Sequence, residues 1–252
     1  MKKLIGVLAL TFIANTDFVF ADATECKVGE AVTKQGNTIG VGYAFYCKDN
    51  PESQKILTKK LFEKTFGKDK VGLMAAYKNQ TKQVPWNALP EKKKDLIGTA
   101  SSSTDVTDTD VGTGLRNTRL LALYSESPDE EIYPAALSCY QSNDLKNKNR
   151  DVNADWFLPS AQELRLMYLV AINYSSRGFY YSLSHCSYNF IHDSRTGASI
   201  AMCQETMDVY WSSSESNLSG DDAWYIDIFD LGIVRSNGAK KDPMFIRCAR
   251  AF

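Results

Sequence analysis

The chain has 252 residues and a mass of 28.2 kDa, enough for one large domain or two modest ones. Hydrophobic residues make up 44% and charged residues 23%, a globular composition that excludes wholesale disorder. The formal net charge of -1 gives no sign of the strongly basic face that binds nucleic acid, so we expect no nucleic-acid partner.

Residues 1–23 have the layout of a secretory signal peptide. Lys2 and Lys3 precede an apolar run that is too short to span a bilayer, and Ala21 and Ala23 supply small residues for cleavage. We therefore expect a protein that is secreted, periplasmic or held at the cell surface. A retained N-terminal anchor is the alternative, and no later run of the sequence predicts a transmembrane segment.

The cysteine count supports export. An even number of cysteines in an exported chain favours disulfides over metal ligation. The two histidines and the cysteines near them lack CxxC or HxxxH spacing, so the sequence predicts neither a metal site nor a cofactor. The six cysteines are Cys26, Cys47, Cys139, Cys186, Cys203 and Cys248.

Residues 24–95 are interpreted as a small N-terminal α/β region with a basic character. They hold 14 lysines and 7 acidic residues after position 26, whereas the remainder of the chain is acidic. Either the two oppositely charged regions pack against each other, or the basic region contacts an anionic cell surface.

One helix and one strand are predicted in this N-terminal region. Asn50 is a good N-cap, Pro51 suits the first helical position, and Gly67 is placed to end the helix. Apolar residues recur between them at helical spacing, with lysines on the other face. A buried strand is expected to follow over 71–77.

Residues 96–252 are predicted to form a second domain. Its first part, up to Gly114, is a polar loop whose aspartates lack the DxDxDG order of a calcium site. One helix is expected from Tyr133, and the capping box Ser160-Ala161-Gln162-Glu163 predicts another. Alternating apolar and polar residues then predict four strands, at 210–212, 223–229, 232–236 and 244–252.

Several segments of the second domain, in this order, resemble the Lcl C-terminal domain family, which is named for a bacterial collagen-like adhesin. They are Gly114 with Asn117-Thr118, Trp156-Phe157-Leu158-Pro159-Ser160 with Glu163-Leu164 and Met167-Tyr168, Tyr210-Trp211-Ser212-Ser213-Ser214-Glu215, Ala223-Trp224, Gly232, Lys240 and Arg247-Cys248-Ala249-Arg250-Ala251-Phe252. The resemblance implies an α+β, C-type-lectin-like fold, in which two helices and a small twisted antiparallel sheet carry long loops. That branch also contains formylglycine-generating enzymes and the variable proteins of diversity-generating retroelements.

The resemblance also implies a disulfide that ties the first helix to the last strand, which here joins Cys139 to Cys248. We expect Cys186–Cys203 to close an insertion over 177–209. Cys26 and Cys47 flank a glycine-containing segment typical of a hairpin, and we expect a bridge between them.

The motif residues are interpreted as scaffold. Trp156 and Trp211 are expected to be core rings, and the serines after Trp211 to bond neighbouring backbone. Arg247 and Arg250 are expected to pair with buried carboxylates, for which Glu163 and Glu215 are the candidates.

The predicted function is that of an exported ligand-binding or adhesion protein that uses the loops of its second domain. Its partner is expected to be a surface protein or a glycan. In a sharper version, 210–252 is the variable region of a diversity-generating retroelement. Tyrosine and asparagine among small polar residues are typical of binding loops, and the candidate binding residues are Asn217, Ser219, Asp221, Asp222, Tyr225, Asp227, Phe229, Ser236 and Asn237.

The alternative function is an oxidoreductase of the formylglycine-generating type. That chemistry needs a reactive thiol pair, whereas Cys248 lies on a terminal strand, which favours a structural bridge. The sequence has no convincing Ser-His-Asp set, no glycine-rich phosphate loop and none of the triplets of calcium-dependent sugar-binding lectins. We therefore do not expect an enzyme.

Overall fold

The computed structural model describes residues 26–34, 37–76, 83–88, 109–125, 132–140, 156–173, 189–192, 199–202, 209–216, 219–228 and 233–252. The helices in these ranges are α1 (Pro51–Gln54), α2 (Lys59–Phe66), α3 (Gly114–Tyr124), α4 (Pro134–Tyr140) and α5 (Ala161–Asn173). The strands are β1 (Ala31–Lys34), β2 (Asn37–Cys47), β3 (Gly72–Ala76), β4 (Trp156–Phe157), β5 (Asn189–His192), β6 (Ser199–Met202), β7 (Val209–Glu215), β8 (Asp222–Asp227), β9 (Ile233–Ala239) and β10 (Ala249–Ala251). The predicted signal peptide and the predicted Cys186–Cys203 bridge lie outside the described residues. The chain is a mixed α+β protein with antiparallel sheets, as the sequence predicts.

The largest sheet has the strand order β1-β2-β3-β10-β4, and every neighbouring pair is antiparallel. The last strand, β10, lies inside this sheet, where Ala249 faces both Ala75 on β3 and Phe157 on β4. Strands from both sides of position 95 therefore share one sheet. The boundary predicted there lies between described ranges.

A second sheet, with the order β7-β8-β9, lies between helices on both faces. Tyr210 on β7 and Ile226 on β8 are buried in one hydrophobic cluster with Met167 of α5. Trp211 is buried on the opposite face, in a cluster with Leu121 of α3 and with residues of α4. The alternation of neighbouring residues between faces explains why β7 is buried along almost its whole length. The strands β5 and β6 form a separate antiparallel hairpin.

The capping box at the start of α5 is confirmed. The Ser160 hydroxyl accepts a hydrogen bond from the Glu163 N–H at 3.2 Å, and Glu163 Oε2 accepts one from the Ser160 N–H at 2.7 Å. Glu163 Oε1 also accepts from the Gly112 N–H at 2.8 Å, so one carboxyl group joins two chain segments. Complete burial raises the pKa of Glu163 to about 7, although these backbone hydrogen bonds favour the ionised form.

The single helix predicted between Asn50 and Gly67 is wrong in one respect, because it is divided into α1 and α2. Asn50 does cap α1, and Gly67, with a φ of 109°, does end α2. Between the helices, the Thr58 hydroxyl accepts from the Leu61 N–H at 3.4 Å and starts a new helix. Leu57 is buried there, and its carbonyl accepts from the Tyr46 hydroxyl at 2.8 Å, which holds the break in place.

Two other element boundaries differ from the predictions. The strand predicted over 244–252 is regular only in β10, since the chain passes from one sheet to the other. Met244 and Phe245 form isolated bridges with Val84 and Tyr210 before β10 joins β3 and β4. Helix α3 begins at Gly114, whereas the sequence predicts the first helix of the second domain only from Tyr133.

Two of the three predicted disulfides are confirmed, Cys26–Cys47 and Cys139–Cys248. The first bridge ties the start of the described chain to the end of β2. The second joins α4 to the residue directly before β10. This pairing is the one that the resemblance implies, although Cys139 lies on α4, which follows α3, and not on the first helix after position 95. The described residues contain no free cysteine.

The expectation that both Trp156 and Trp211 are core rings is right for Trp211 and wrong for Trp156. Trp211 is fully buried, and its indole N–H donates to the Val84 carbonyl at 3.1 Å. Trp156 is half-buried, because β4 lies at the edge of its sheet. The Arg250 guanidinium lies 5.9 Å from the centroid of the Trp156 ring and covers part of it.

Candidate functional site

The predicted binding residues centre on β8 and β9. In the sheet register, Trp211 on β7 is opposite Tyr225 on β8, which is opposite Arg235 on β9. Asp227 is likewise opposite Ile233. Because paired residues project from the same side of a sheet, these side chains form one face.

This face combines a fully buried ring with half-buried polar side chains. The rings of Trp211 and Tyr225 meet edge to face with their centroids 6.2 Å apart. Gly238 permits this approach, since a Cβ there would lie 2.7 Å from an atom of each ring. Tyr225, Asp227 and Arg235 are half-buried, so the fixed tyrosine ring ends in a polar and partly exposed group.

The charges next to Tyr225 act on its hydroxyl in opposite directions. Burial raises the pKa of Tyr225. The Arg235 guanidinium partly offsets that increase in the pKa, while the Asp227 carboxylate adds to it. The Tyr225 hydroxyl therefore stays protonated near neutral pH and is both a donor and an acceptor beside one cation and one anion.

The turn before β8 holds three more of the predicted residues. The Asp221 N–H donates to the Ser219 hydroxyl at 3.2 Å, and the Asp222 N–H donates to the Ser219 carbonyl at 3.2 Å. The Lys240 N–H donates to the Asp221 carbonyl at 3.0 Å. Ser219 thus shapes the turn, and Asp221 is the exposed member of this group.

A buried ion pair is hydrogen-bonded to the backbone of this turn. Lys240 Nζ donates to Glu215 Oε1 and to the Gly220 carbonyl, and both charged side chains are only 5% exposed. The ammonium also lies 4.9 Å from the centroid of the Trp86 ring. Burial raises the pKa of Glu215, and the charge of Lys240 opposes that increase. The pair fixes the Gly220 backbone relative to β7 and β9.

This ion pair corrects the expected partners of the terminal arginines. Glu215 pairs with Lys240, and Glu163 accepts from the backbone N–H groups of Ser160 and Gly112. Arg247 instead donates from Nη1 to the Ala76 carbonyl at 2.6 Å, which ties the last segment to β3. A lysine 25 positions from its carboxylate partner carries no local sequence signal, so only the folded structure shows this pairing.

The serines of β7 act as expected. The Ser212 hydroxyl donates to the Trp224 carbonyl at 2.7 Å, and the Ser214 hydroxyl accepts from the Ala161 N–H at 3.1 Å. The register between β7 and β8 shifts in this part of the strand. These serines therefore supply backbone partners where the regular ladder is interrupted, which supports their interpretation as scaffold.

The nine predicted residues fall into distinct groups. Tyr225 and Asp227 lie together on the sheet face, and Asp221 and Asp222 lie in and beside the turn. Ser236 is half-buried and Asn237 is exposed, in the part of β9 where the register with β8 shifts. The turn residue Ser219 is half-buried, while Asn217 and Phe229 lie outside the described residues.

Sequence reasoning missed one residue of this surface. Arg235 is opposite Tyr225, and the two-residue period of β9 relative to β8 was the available signal. Arg235 adds a cation beside Tyr225, so the candidate site is larger than the sequence indicates.

Within the described ranges, no group of three or more His, Cys, Asp or Glu side chains is arranged to hold a metal ion. In the same ranges, no helix has the length and apolar character needed to cross a bilayer.

Comparisons with known proteins give little that bears on function. No family model matches the chain, and no curated protein matches it. Among solved structures, a fimbrial protein from Bacteroides ovatus aligns with a TM-score of 0.42 and 14% sequence identity. The alignment covers 88% of this chain and 46% of that chain, so this chain spans less than half of that protein's length.

Proposed function

We propose that the protein is an exported binding or adhesion protein that recognises a surface protein or a glycan. The face formed by Tyr225, Asp227 and Arg235 is its contact surface. One observation carries this proposal: a half-exposed tyrosine with a charge of each sign beside it is fixed by the fully buried Trp211. A rigid aromatic group with adjacent polar groups offers contact area at a small entropic cost.

Two further features support this proposal. The buried Lys240–Glu215 pair holds the turn next to the contact surface, so Asp221 is presented on a fixed backbone. Disulfides persist mainly in oxidising compartments, and two are present, which supports export. We propose a secreted, periplasmic or surface location on this basis.

The experiment is a protein and glycan array probed with the full chain, followed by affinity measurements on the ligands that bind. Tyr225→Ala and Asp227→Ala are expected to weaken binding at least about tenfold, because each removes a central contact. Asp69→Ala, an exposed carboxylate beyond α2, is the matched control. Unchanged binding by both contact-surface variants would exclude this surface.

We also propose that residues 96–252 adopt a C-type-lectin-like fold, which the Cys139–Cys248 bridge from helix to terminal segment supports. The same bridge leaves neither cysteine as a free thiol, which supports a binding protein over the formylglycine-generating alternative. A crystal structure tests the fold directly. A turnover assay under reducing conditions, with Cys248→Ser as control, tests the enzymatic alternative.

The variable-protein version of this proposal makes a genetic prediction. Exposed positions such as Asp221 and Asn237 lie on strands and turns whose buried residues are tied to backbone. Such a framework tolerates changes at its exposed positions. We expect a neighbouring reverse transcriptase gene and a near-copy of the coding stretch for 210–252 that differs at adenines. Sequencing of the locus decides this, and a locus without both would exclude the variable-protein version.

A further inference from the structure

Exposed apolar side chains cluster in one place on this protein. The large hydrophobic side chains exposed in the described ranges are Ile56, Leu61, Leu169 and Ile233, with exposures of 52, 49, 39 and 45%. The first three line a single groove, and Ile233 lies elsewhere, on β9. Apolar exposure that is concentrated in this way is typical of an interaction surface, whereas scattered single residues are ordinary.

The groove lies between α5 and the α1–α2 segment. On one wall, Arg165 and Leu169 are about one turn apart on the exposed face of α5, and the half-buried Leu166 lies beside them. On the other wall, Leu61 is exposed on α2, and Ile56 is exposed on the link between α1 and α2. The cavity between the walls has a volume of about 350 Å³, so side chains of a partner have room to enter it.

The lining of the groove carries one charge of each sign. Arg165 and Asp110 are both exposed, and Arg165 makes no hydrogen bond or ion pair with the residues that the structure describes. The Asp110 carbonyl accepts from the Ser160 hydroxyl at 2.8 Å, which ties the segment that carries this carboxylate to the start of α5. An apolar lining with one cation and one carboxylate has no net charge and is complementary to a second copy of itself.

We propose that this groove is the interface of a two-fold symmetric dimer of the chain. In a two-fold interface both copies use the same patch, so every contact between two different residues occurs twice. Arg165 of each copy pairs with Asp110 of the other, and the exposed parts of Leu61 and Leu169 are removed from water in both copies. Homodimer interfaces are more apolar than the rest of the protein surface, which agrees with the composition of this patch.

Two lysines adjoin the groove without lining it. Lys60 and Lys64 are exposed on α2 beside Leu61. They belong to the rim of the proposed interface, where charges stay in water and contribute little to affinity. A small apolar patch with a charged rim favours a weak, reversible dimer over a permanent one.

The dimer has a consequence for binding. It carries two copies of the contact surface of Tyr225, Asp227 and Arg235, and two linked sites bind a repetitive ligand more tightly than one site does. That consequence rests on the proposed function. The dimer itself does not, because the groove shares no residue with that contact surface.

Sedimentation velocity of the full chain from about 5 to 500 µM, a range that covers weak protein complexes, tests the dimer. A concentration-dependent shift from monomer to dimer is expected. Leu169→Gln is expected to weaken dimerisation at least about tenfold, because symmetry removes the apolar contact twice. Ile233→Gln, the same kind of change at an exposed apolar residue outside the groove, is expected to dimerise as the wild type does.

Two charge reversals test the symmetric contact itself. Arg165→Asp leaves two carboxylates in each patch, and Asp110→Arg leaves two guanidinium groups. Each variant alone is expected to dimerise at least about tenfold more weakly than the wild type, because like charges then meet. An equimolar mixture of the two variants is expected to recover wild-type dimerisation, since opposite charges meet again at both contacts. Circular dichroism and thermal unfolding check that each variant is folded.

Each outcome decides for or against the dimer. Dimerisation with the expected pattern of variants supports it. The proposal is overturned if the chain stays monomeric over the whole range, if Leu169→Gln dimerises as tightly as Ile233→Gln, or if the mixture dimerises no better than the separate charge variants. If a charge variant does not fold, the comparison of Leu169→Gln with Ile233→Gln decides. Ligand binding by the contact surface is measured with other variants, so the two proposals fail separately.

Discussion

The contributions of individual side chains to this protein depend on how completely the fold surrounds them. Trp211 is enclosed on both sides, by Tyr225 and by helices α3 and α4, whereas Trp156 has one open side that Arg250 partly covers. The two tryptophans are therefore expected to contribute differently to the free energy of unfolding.

The first prediction concerns these two rings. Trp211→Ala is expected to lower the free energy of unfolding by about 3–5 kcal/mol, because it empties an aromatic core site. Trp156→Ala is expected to cost about 1–2 kcal/mol, since part of its ring is already in water. Denaturant unfolding of both variants measures the difference, and equal losses would contradict the burial of the two side chains.

The second prediction concerns Glu163, whose pKa rises from the ordinary value of 4.5 to about 7 on burial. As the pH rises, the folded protein keeps the proton on Glu163 up to a higher pH than the unfolded chain does. The resulting stabilisation is complete below pH 4.5 and is lost as the pH rises through 7. Between pH 5 and pH 8 this group alone is expected to lower the free energy of unfolding by about 2.5 kcal/mol.

The measurement for Glu163 is denaturant unfolding of the wild type and of Glu163→Gln at pH 5, 6, 7 and 8. Glutamine does not titrate, so the difference in stability between the two proteins isolates the carboxyl group from all other titrations. That difference should shift in favour of the variant as the pH rises. A difference that is constant across this range would contradict the raised pKa.

Among the elements, α2 shows how a short polar residue determines where a helix begins. The Thr58 hydroxyl accepts from the Leu61 N–H, and the helix that starts there places Phe62 in the core and leaves Leu61 exposed. The position of this cap thus determines which side of α2 is buried.

The third prediction follows from this helix cap. Thr58→Ala is expected to lower the free energy of unfolding by about 1 kcal/mol through the loss of an N-cap, and Thr58→Ser to leave it nearly unchanged. Thermal unfolding of the two variants provides the measurement. If both melt as the wild type does, the cap does not stabilise α2.

At the scale of the whole molecule, long-range links join the ends of the chain. β10 pairs with β3, and Cys139–Cys248 spans 109 positions. Cys26–Cys47 spans only 21 positions. A cross-link that closes a longer loop removes more entropy from the unfolded chain, so the two bridges should differ in their effect.

The fourth prediction compares the bridges. In the chain-entropy estimate, replacing both Cys139 and Cys248 with serine costs up to about 5 kcal/mol, and replacing Cys26 and Cys47 costs up to about 3 kcal/mol. Denaturant unfolding of the two double variants under non-reducing conditions tests the order. A larger loss from the Cys26–Cys47 replacement would contradict the loop-length argument.

What the sequence determined by itself is local. Three such features are the Asn50 cap, the capping box of Ser160 and Glu163, and the alternation in β8. Each depends on residues within a few positions of one another, so the sequence alone shows its pattern. The resemblance added the Cys139–Cys248 bridge and a binding surface near Tyr225. The bridge is confirmed, and the binding surface stays a proposal.

Only the tertiary structure decided which distant residues meet. The central position of β10, the Lys240–Glu215 pair and the partner of Arg247 each join residues at least 25 positions apart. The break between α1 and α2 depends on a contact of shorter range, because the Tyr46 hydroxyl on β2 donates to the Leu57 carbonyl 11 positions along the chain. Such contacts depend on packing and desolvation, which no short sequence pattern encodes.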